Sequence, residues 1–386
     1  RTCFKIRMSS PTDILILALE RVANNLTESV IADADISRNV EFVCRNPQNR
    51  AGVRLLLACL LAKSHRPHLD IRKPYTEIGG SDCYSGRTYD EAYITGFISQ
   101  HQLPCNPTTA FLTPALRNRN IILTPEVNLV GRPTILYKTV LYLLENVYTG
   151  QVLAQDLLAE TIRYLLIVRD EKRQRIASLL ADLNTLQSAI PLSAEAIVTL
   201  IEQHLNCRNS SRLPVLIVTA AYQAASNYLG QRTLPLKLHN AADEQTGALG
   251  DVEITLSNDS NIMTCYEMKM KPVIVDDINR ALQKISNYEP KIDNYIFITT
   301  ERIDRYVQEY AAGIYEQTGG IEVVVLDCIS FLRHYLHLFH RLRMDFLEAY
   351  QKLVLDEPES AVSQPLKEAF LSLRQAAESG KGDSLE

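Results

Sequence analysis

The sequence predicts an α/β chain with a mixed-sheet core behind a large, mainly helical N-terminal region. Three observations predict it. Apolar residues recur at helical spacing through most of the first 230 residues. Beyond them, short β-type runs alternate with amphipathic helices. Glycine is scarce, 15 of 386, which favours helices over a turn-rich all-β fold.

Each element has its own signal. Thr12–Asn25 follows a Ser-Pro-Thr-Asp start and carries helical periodicity. Asn46-Pro47 reads as cap and first helical position of a helix running through Val53–Leu61. Residues 66–87 are loop-like, and Thr88–Gln100 returns to helical period. Residues 102–134 hold five prolines (Pro104, Pro107, Pro114, Pro125, Pro133), too many for a long helix. Helices resume at Thr134–Tyr148 and Leu153–Leu183. Ser193 caps Ala194–Leu205, and Pro214 sits in the first turn of a helix reaching Tyr228. Leu234–Leu238 is a short apolar stretch. Asp251–Leu256 and Ile262–Met270 flank the turn Ser257–Asn261 as a hairpin. Asp276–Tyr288 is an amphipathic helix, Asn294–Thr300 a buried-type strand, Ile303–Gln317 a helix, and Ile321–Leu326 a strand. Phe331–Leu355 reads as one long helix and Gln364–Ala377 as a last one. The order from residue 212 is helix, three strands, helix, strand, helix, strand, helices, with the hairpin feeding a right-handed crossover. This gives three regions: 8–211 mainly helical, 212–330 the mixed core, and 331–386 helices packing on the core or at a subunit contact.

Composition narrows the function classes. Hydrophobic residues make up 46% and charged residues 22%, ordinary for a globular protein and unlike disordered or low-complexity chains. No apolar run approaches the ~20 residues of a membrane span. The net charge of −5 excludes a bulk polycation, so a nucleic-acid site would be a local patch. None of the eight cysteines stands in C-x-x-C spacing, and Leu57-Ala58-Cys59-Leu60 shows cysteine in an apolar setting. No secretory signal is read at the start, and reduced thiols in a cytoplasmic protein are expected. Met8-Ser9-Ser10-Pro11 resembles a natural start, and residues 1–7 are expected to lie upstream of it.

Three acidic-x-Lys triplets occur at most superficially alike: Asp170-Glu171-Lys172, Glu267-Met268-Lys269 and Glu289-Pro290-Lys291. The first lies in a helical charge run and the third in a loop. Only the second sits in a strand, where alternation points Glu267 and Lys269 to the face of Cys265, and Tyr266, Met268 and Met270 to the other. The hairpin returns Asp251 toward Glu267. Two carboxylates and one ammonium then converge, a donor set suited to Mg²⁺, with the Met268 carbonyl as third ligand and Lys269 placed to position or deprotonate a water. Gly250 is expected to give backbone freedom at the start of the strand. The competing interpretation is a surface hairpin with ordinary cross-strand charge pairing.

Asp251 followed by Glu267-x-Lys269 on the next strand, within helix–three strands–helix–strand, resembles the PD-(D/E)xK nuclease core. The stretches Glu77–Glu91, Leu103–Arg117 and Gly247–Ile254 are similar to type II restriction endonucleases of the SacI family, and the likeness spans most of residues 9–380. The resemblance implies Mg²⁺-dependent cleavage of both strands of double-stranded DNA at a palindrome of the GAGCTC kind. It makes Asp251 and Glu267 metal ligands and Lys269 the catalytic lysine. It also implies a homodimer and, in the same host, a cognate DNA methyltransferase that is not a stable subunit. One departure stands out: Leu213–Leu229 lacks the glutamate that many such nucleases carry before the hairpin. Gln223 is the nearest polar residue there, and Asp243, Glu244 and Glu77 are the open substitutes. A repair or recombination nuclease with the same core, or a catalytically silent DNA-binding protein, are the alternatives.

For DNA reading, residues 41–120 hold ten Lys/Arg against six acids, a balance of +4 in a chain of −5. Arg45, Asn46, Gln48 and Arg50, and Arg117, Asn118 and Arg119, are the side-chain types that pair bidentately with guanine or adenine. Arg87 is the preferred reader, with Asp90 and Glu91 as cytosine acceptors or first-turn acids. Lys237, His239 and Asn240 are candidates for phosphate contact or simple loop decoration. His334, His337 and His340 share a helix but lack a third metal ligand, so a polar stripe is expected. The apolar face Leu332, Tyr335, Leu336, Phe339 and Leu342 is the candidate subunit contact, unless it covers the sheet.

Overall fold

The computed structural model describes residues 10–185, 191–236, 248–286, 288–289 and 292–379. It divides into two compact units, Arg1–Gln174 and Arg175–Glu386. The sequence-based break at 211/212 falls inside the second unit. Leu183, Ile197 and Ile201 share one apolar cluster with Leu213 and with the sheet residue Val252.

The first unit is helical. Ser10 caps α1 (Pro11–Ala23), its hydroxyl accepting from the Asp13 N–H while Asp13 accepts from the Ser10 N–H. α2 (Ala34–Arg45) is a helix that the sequence pattern left unassigned. Asn46 ends α2 instead of opening the next helix, and its Oδ1 accepts from the Gln48 and Asn49 N–H groups. α3 (Ala51–His65) is apolar on every side, and Leu55 through Ala62 are all fully buried. That is the pattern of a central helix. α4 (Gly86–Tyr89), a π-helical turn (Asp90–Ile94) and α5 (Thr95–Gln100) form one continuous rod, and α6 (Thr134–Tyr148) and α7 (Ala154–Thr185) follow.

The second unit is α/β. α8 (Ala194–Leu205) and α9 (Leu213–Leu229) lead into β1 (Gln231–Thr233), β2 (Val252–Leu256) and β3 (Ile262–Lys269). Then come α10 (Val275–Ile285), β4 (Asn294–Thr299), α11 (Arg305–Thr318) and β5 (Glu322–Asp327). The first strand is shorter and earlier than the apolar stretch suggested, and Leu238 lies outside the described residues. The sheet order is β1-β2-β3-β4-β5; the first three strands are antiparallel neighbours, and β3, β4 and β5 run parallel. Alternation sorts the strand residues onto two faces. Tyr295, Phe297, Val323 and Val325 pack with Ile278 and Ile314 of α10 and α11. Ile296, Ile298 and Tyr266 pack on the other face with α9 and the C-terminal helices.

Those C-terminal helices are α12 (Cys328–Leu338), α13 (Arg343–Asp356) and α14 (Gln364–Glu378). The single helix expected over Phe331–Leu355 is broken at Phe339, and a 3₁₀ turn, His340–Leu342, follows. The break lets Leu332, Leu336, Phe346, Tyr350 and Phe370 bury together over the sheet. The face proposed for a subunit contact is therefore consumed within the chain: Leu332, Tyr335 and Leu336 are buried, and Phe339 and Leu342 pack against the same cluster. Among the described residues, no helix is long and apolar enough to cross a membrane. Seven cysteines are described and all are free. Burial pushes the Cys59 thiol up to about 12, as fits a small core side chain.

Candidate active site

The hairpin register decides the geometry. Val252 pairs with Tyr266 and Glu253 with Cys265, so the hairpin brings the start of β2 to the end of β3 that carries Glu267. Asp251 itself stands just before β2. Its N–H donates to the Tyr266 carbonyl at 2.7 Å, and its Oδ2 accepts from the Met268 N–H at 2.7 Å. Met268 thus meets Asp251 through its amide, where the sequence suggested its carbonyl as a ligand. Gly250 has a different role from the one expected. Its φ is not positive; a Cβ there would stand 2.7 Å from the Tyr266 carbonyl oxygen, so glycine is needed for close approach of the two chains.

Glu267 lies on the α10–α11 face and is mostly buried, with 16% of its side chain exposed. Lys269 Nζ is 3.1 Å from Glu267 Oε1 and 3.6 Å from Asp277 Oδ1. Lys284 Nζ stands 3.9 Å from Glu267 Oε2. The buried Tyr295 hydroxyl, from β4, lies 3.3 Å from Glu267 Oε2 and 2.9 Å from the Leu249 carbonyl. Asp277 opens α10, accepting from the Ile274 N–H at 3.1 Å and from Arg280 at 2.6 Å. Burial works to raise its carboxyl, but the Ile274 N–H, Arg280 and Lys269 together hold it below the usual range.

Sequence reasoning missed Asp277, Lys284 and Tyr295. The first two had a faint signal, since positions 277 and 284 share a helix face two turns apart. Tyr295 had none, because only the β3–β4 pairing, Cys265 with Tyr295 and Glu267 with Phe297, brings it alongside.

The donor set fits Mg²⁺. Two hard carboxylates suffice for an ion that retains several waters and takes up phosphate oxygens. Among the described residues, no group of three His, Cys, Asp or Glu side chains is placed to hold a metal by itself, which is unlike a structural zinc site. Gln223 is exposed on α9, which packs on the opposite face of the sheet, and Glu77 belongs to the first unit. Asp243, Glu244, Lys237, His239 and Asn240 lie outside the described residues, as do Pro290 and Lys291 of the third triplet. His337 binds Glu195 at 2.9 Å beside Arg333. His340 lies beyond the end of α12, in the 3₁₀ turn, so the three histidines do not share one helix.

Most of the basic side chains expected to read DNA are already engaged within the first unit. Arg45 grips Glu171 through both terminal nitrogens, at 2.6 and 2.9 Å, and also binds Glu41. Asn46 is committed to its turn, and Arg50 donates to the Pro104 carbonyl at 2.9 Å. Asn118 and Asn120 hold left-handed backbone positions, φ 53 and 48, a turn role that asparagine tolerates. Arg119 donates back to the Ala115 carbonyl. Asp90 is fully buried against Arg54, so it cannot reach a cytosine. Glu91 pairs with Arg87 at 2.8 Å on the surface. Gln48, Arg87 and Arg117 remain exposed. No protein-family model matches the chain, and no curated protein matches it.

Proposed function

We propose that the chain is a Mg²⁺-dependent, site-specific endonuclease of the type II restriction kind, acting on double-stranded DNA through a PD-(D/E)xK core in its second unit. The observation that carries this is the placement of Asp251, Glu267 and Lys269 at the same open end of the β2–β3 pair, with Asp251 bound to the Met268 N–H between the other two and Lys269 paired with Glu267. The order α9, β1, β2, β3, α10, β4 supports it, with three antiparallel strands and a fourth parallel to the third. The mostly buried Glu267 and the exposed Asp251 would hold the cation through their carboxylate oxygens. Lys269, held at Glu267 as an ammonium, donates a hydrogen bond that orients the attacking water, whose proton is lost to solvent while O3′ takes one up. When bound, Mg²⁺ supplies charge stabilisation at the scissile phosphate and makes the water more acidic. Water oxygen bonds to phosphorus as the bond to O3′ breaks, leaving 3′-hydroxyl and 5′-phosphate ends.

In this proposal the first unit reads the site through the exposed Arg117 and Gln48 and through Arg87, which exchanges its surface pair with Glu91 for a base. A palindrome of the GAGCTC kind presents two equal half-sites, which a twofold homodimer matches. The test is direct. The protein is incubated with phage DNA and Mg²⁺ and the products are run on a gel. Discrete bands are expected. A smear indicates a nonspecific nuclease, and intact DNA in both Mg²⁺ and Mn²⁺ removes the enzyme reading.

A further inference from the structure

We propose that Tyr295 is the positioning residue that fixes the two carboxylates for cation binding, an inference that rests on the nuclease reading above. Its hydroxyl has one proton and two acceptors, the Leu249 carbonyl at 2.9 Å and Glu267 Oε2 at 3.3 Å. Leu249 is two residues before Asp251. One buried phenol on β4 therefore ties the segment that carries Asp251 to the side chain of Glu267. The rest of that segment is pinned at both ends. The Leu249 N–H donates to Glu253 Oε1 at 2.7 Å, and Glu253 is itself buried. The Asp251 N–H and carboxylate are held by Tyr266 and Met268 on β3. Gly250 lies between them against the Tyr266 carbonyl.

Charge explains why a phenol does this work. Asp251 and Glu267 are like charges at the same end of the hairpin, which repel unless something restrains them. Lys269 and Lys284 offset the charge of Glu267, but each also competes with an incoming cation for the same oxygens. Tyr295 is a neutral donor: it orients Glu267 without opposing a cation. Its ring is fully buried and packed 5.3 Å from that of Phe297, so the hydroxyl has little freedom to wander. Hydrogen-bond partners of this kind set the orientation of metal ligands, and losing one weakens metal binding about 10- to 100-fold.

The experiment compares the full-length wild type, Tyr295→Phe and Asp251→Ala. Phenylalanine keeps the ring packing and removes only the hydroxyl. Ca²⁺ and Mn²⁺ affinity is measured by titration calorimetry, thermal melting is followed in chelator, and cleavage is measured against Mg²⁺ concentration. Tyr295→Phe is expected to bind Ca²⁺ and Mn²⁺ about tenfold more weakly. Its Mg²⁺ requirement for half-maximal cleavage should rise by the same factor, with the rate at saturating Mg²⁺ near wild type. Wild-type affinity in Tyr295→Phe, with binding lost in Asp251→Ala, overturns the role of Tyr295 and leaves the nuclease reading standing. If the wild type binds no better than Asp251→Ala, the cation site itself is wrong and the proposal falls with it. A Tyr295→Phe chain that is unfolded in chelator also overturns it, because the hydroxyl would then serve the fold.

Discussion

Replacing Asp90 with asparagine should destabilise the first unit by roughly 3–5 kcal/mol, the cost of breaking a buried ion pair from one side. Asp90 and Arg54 are both fully buried. Asp90 accepts from Arg54 Nε at 2.5 Å, from the Thr109 hydroxyl at 2.6 Å and from the Ala110 N–H at 2.8 Å. The remaining guanidinium nitrogens reach the Asn106 carbonyl and the Thr95 hydroxyl, each at 2.6 Å. An amide in place of the carboxylate turns an NH₂ toward these donors and leaves the Arg54 charge uncompensated. Arginine cannot shed its proton to escape. For a unit of this size the loss corresponds to a Tm shift of roughly 6–20 °C. Scanning calorimetry should show the first unit's transition moving by that amount. In the folded protein, discrimination between cognate and random duplex should be unchanged, since a sealed carboxylate reads no base. A shift below about 1 °C, or a selective loss of discrimination in a stable variant, would refute the argument.

Four further outcomes are expected. Asp251→Ala and Glu267→Ala should abolish cleavage while retaining DNA binding, and Lys269→Ala should be equally inactive; near-normal cleavage by any of them rejects the site. Arg117→Ala should lose about 1–3 kcal/mol of specific binding, whereas Arg45→Ala, already committed to Glu171 and Glu41, should leave specificity intact in gel-shift series. Light scattering with cognate DNA subtracted should give twice the 43.5 kDa chain mass, and a monomer both free and bound would require sequential nicking. The second unit should weaken with acid through His204, whose ring is pushed down to about 4 by burial. Its neutral ring bridges the Tyr350 hydroxyl and the Leu366 carbonyl, each at 3.0 Å. The unfolded chain binds the proton first, at about 6.5, so this stability is complete above that pH and is lost as pH falls toward 4. Urea midpoints should show roughly 2 kcal/mol gone by pH 5, and His204→Asn should lack that step.

What the sequence determined by itself was local. Helical period set Thr134–Tyr148, and period with the Ser193 cap set Ala194–Leu205, at their observed bounds, because a cap and an apolar stripe act within a few residues. Strand alternation put Glu267 and Lys269 on the Cys265 face for the same reason. Where a local signal had two meanings it misled. Asn46 before Pro47 reads as a helix start but serves as a helix end, and the apolar run through Phe339 reads as one helix although the core bends it into two. The tertiary structure alone decided which charges are spent. Arg45, Arg50 and Asp90 carry the same side chains whether they face solvent or a partner distant in sequence, and Glu171 lies 126 residues from Arg45. It also decided that Tyr295 stands between Leu249 and Glu267, since a parallel β3–β4 register is set by packing on both faces of the sheet and leaves no mark at position 295.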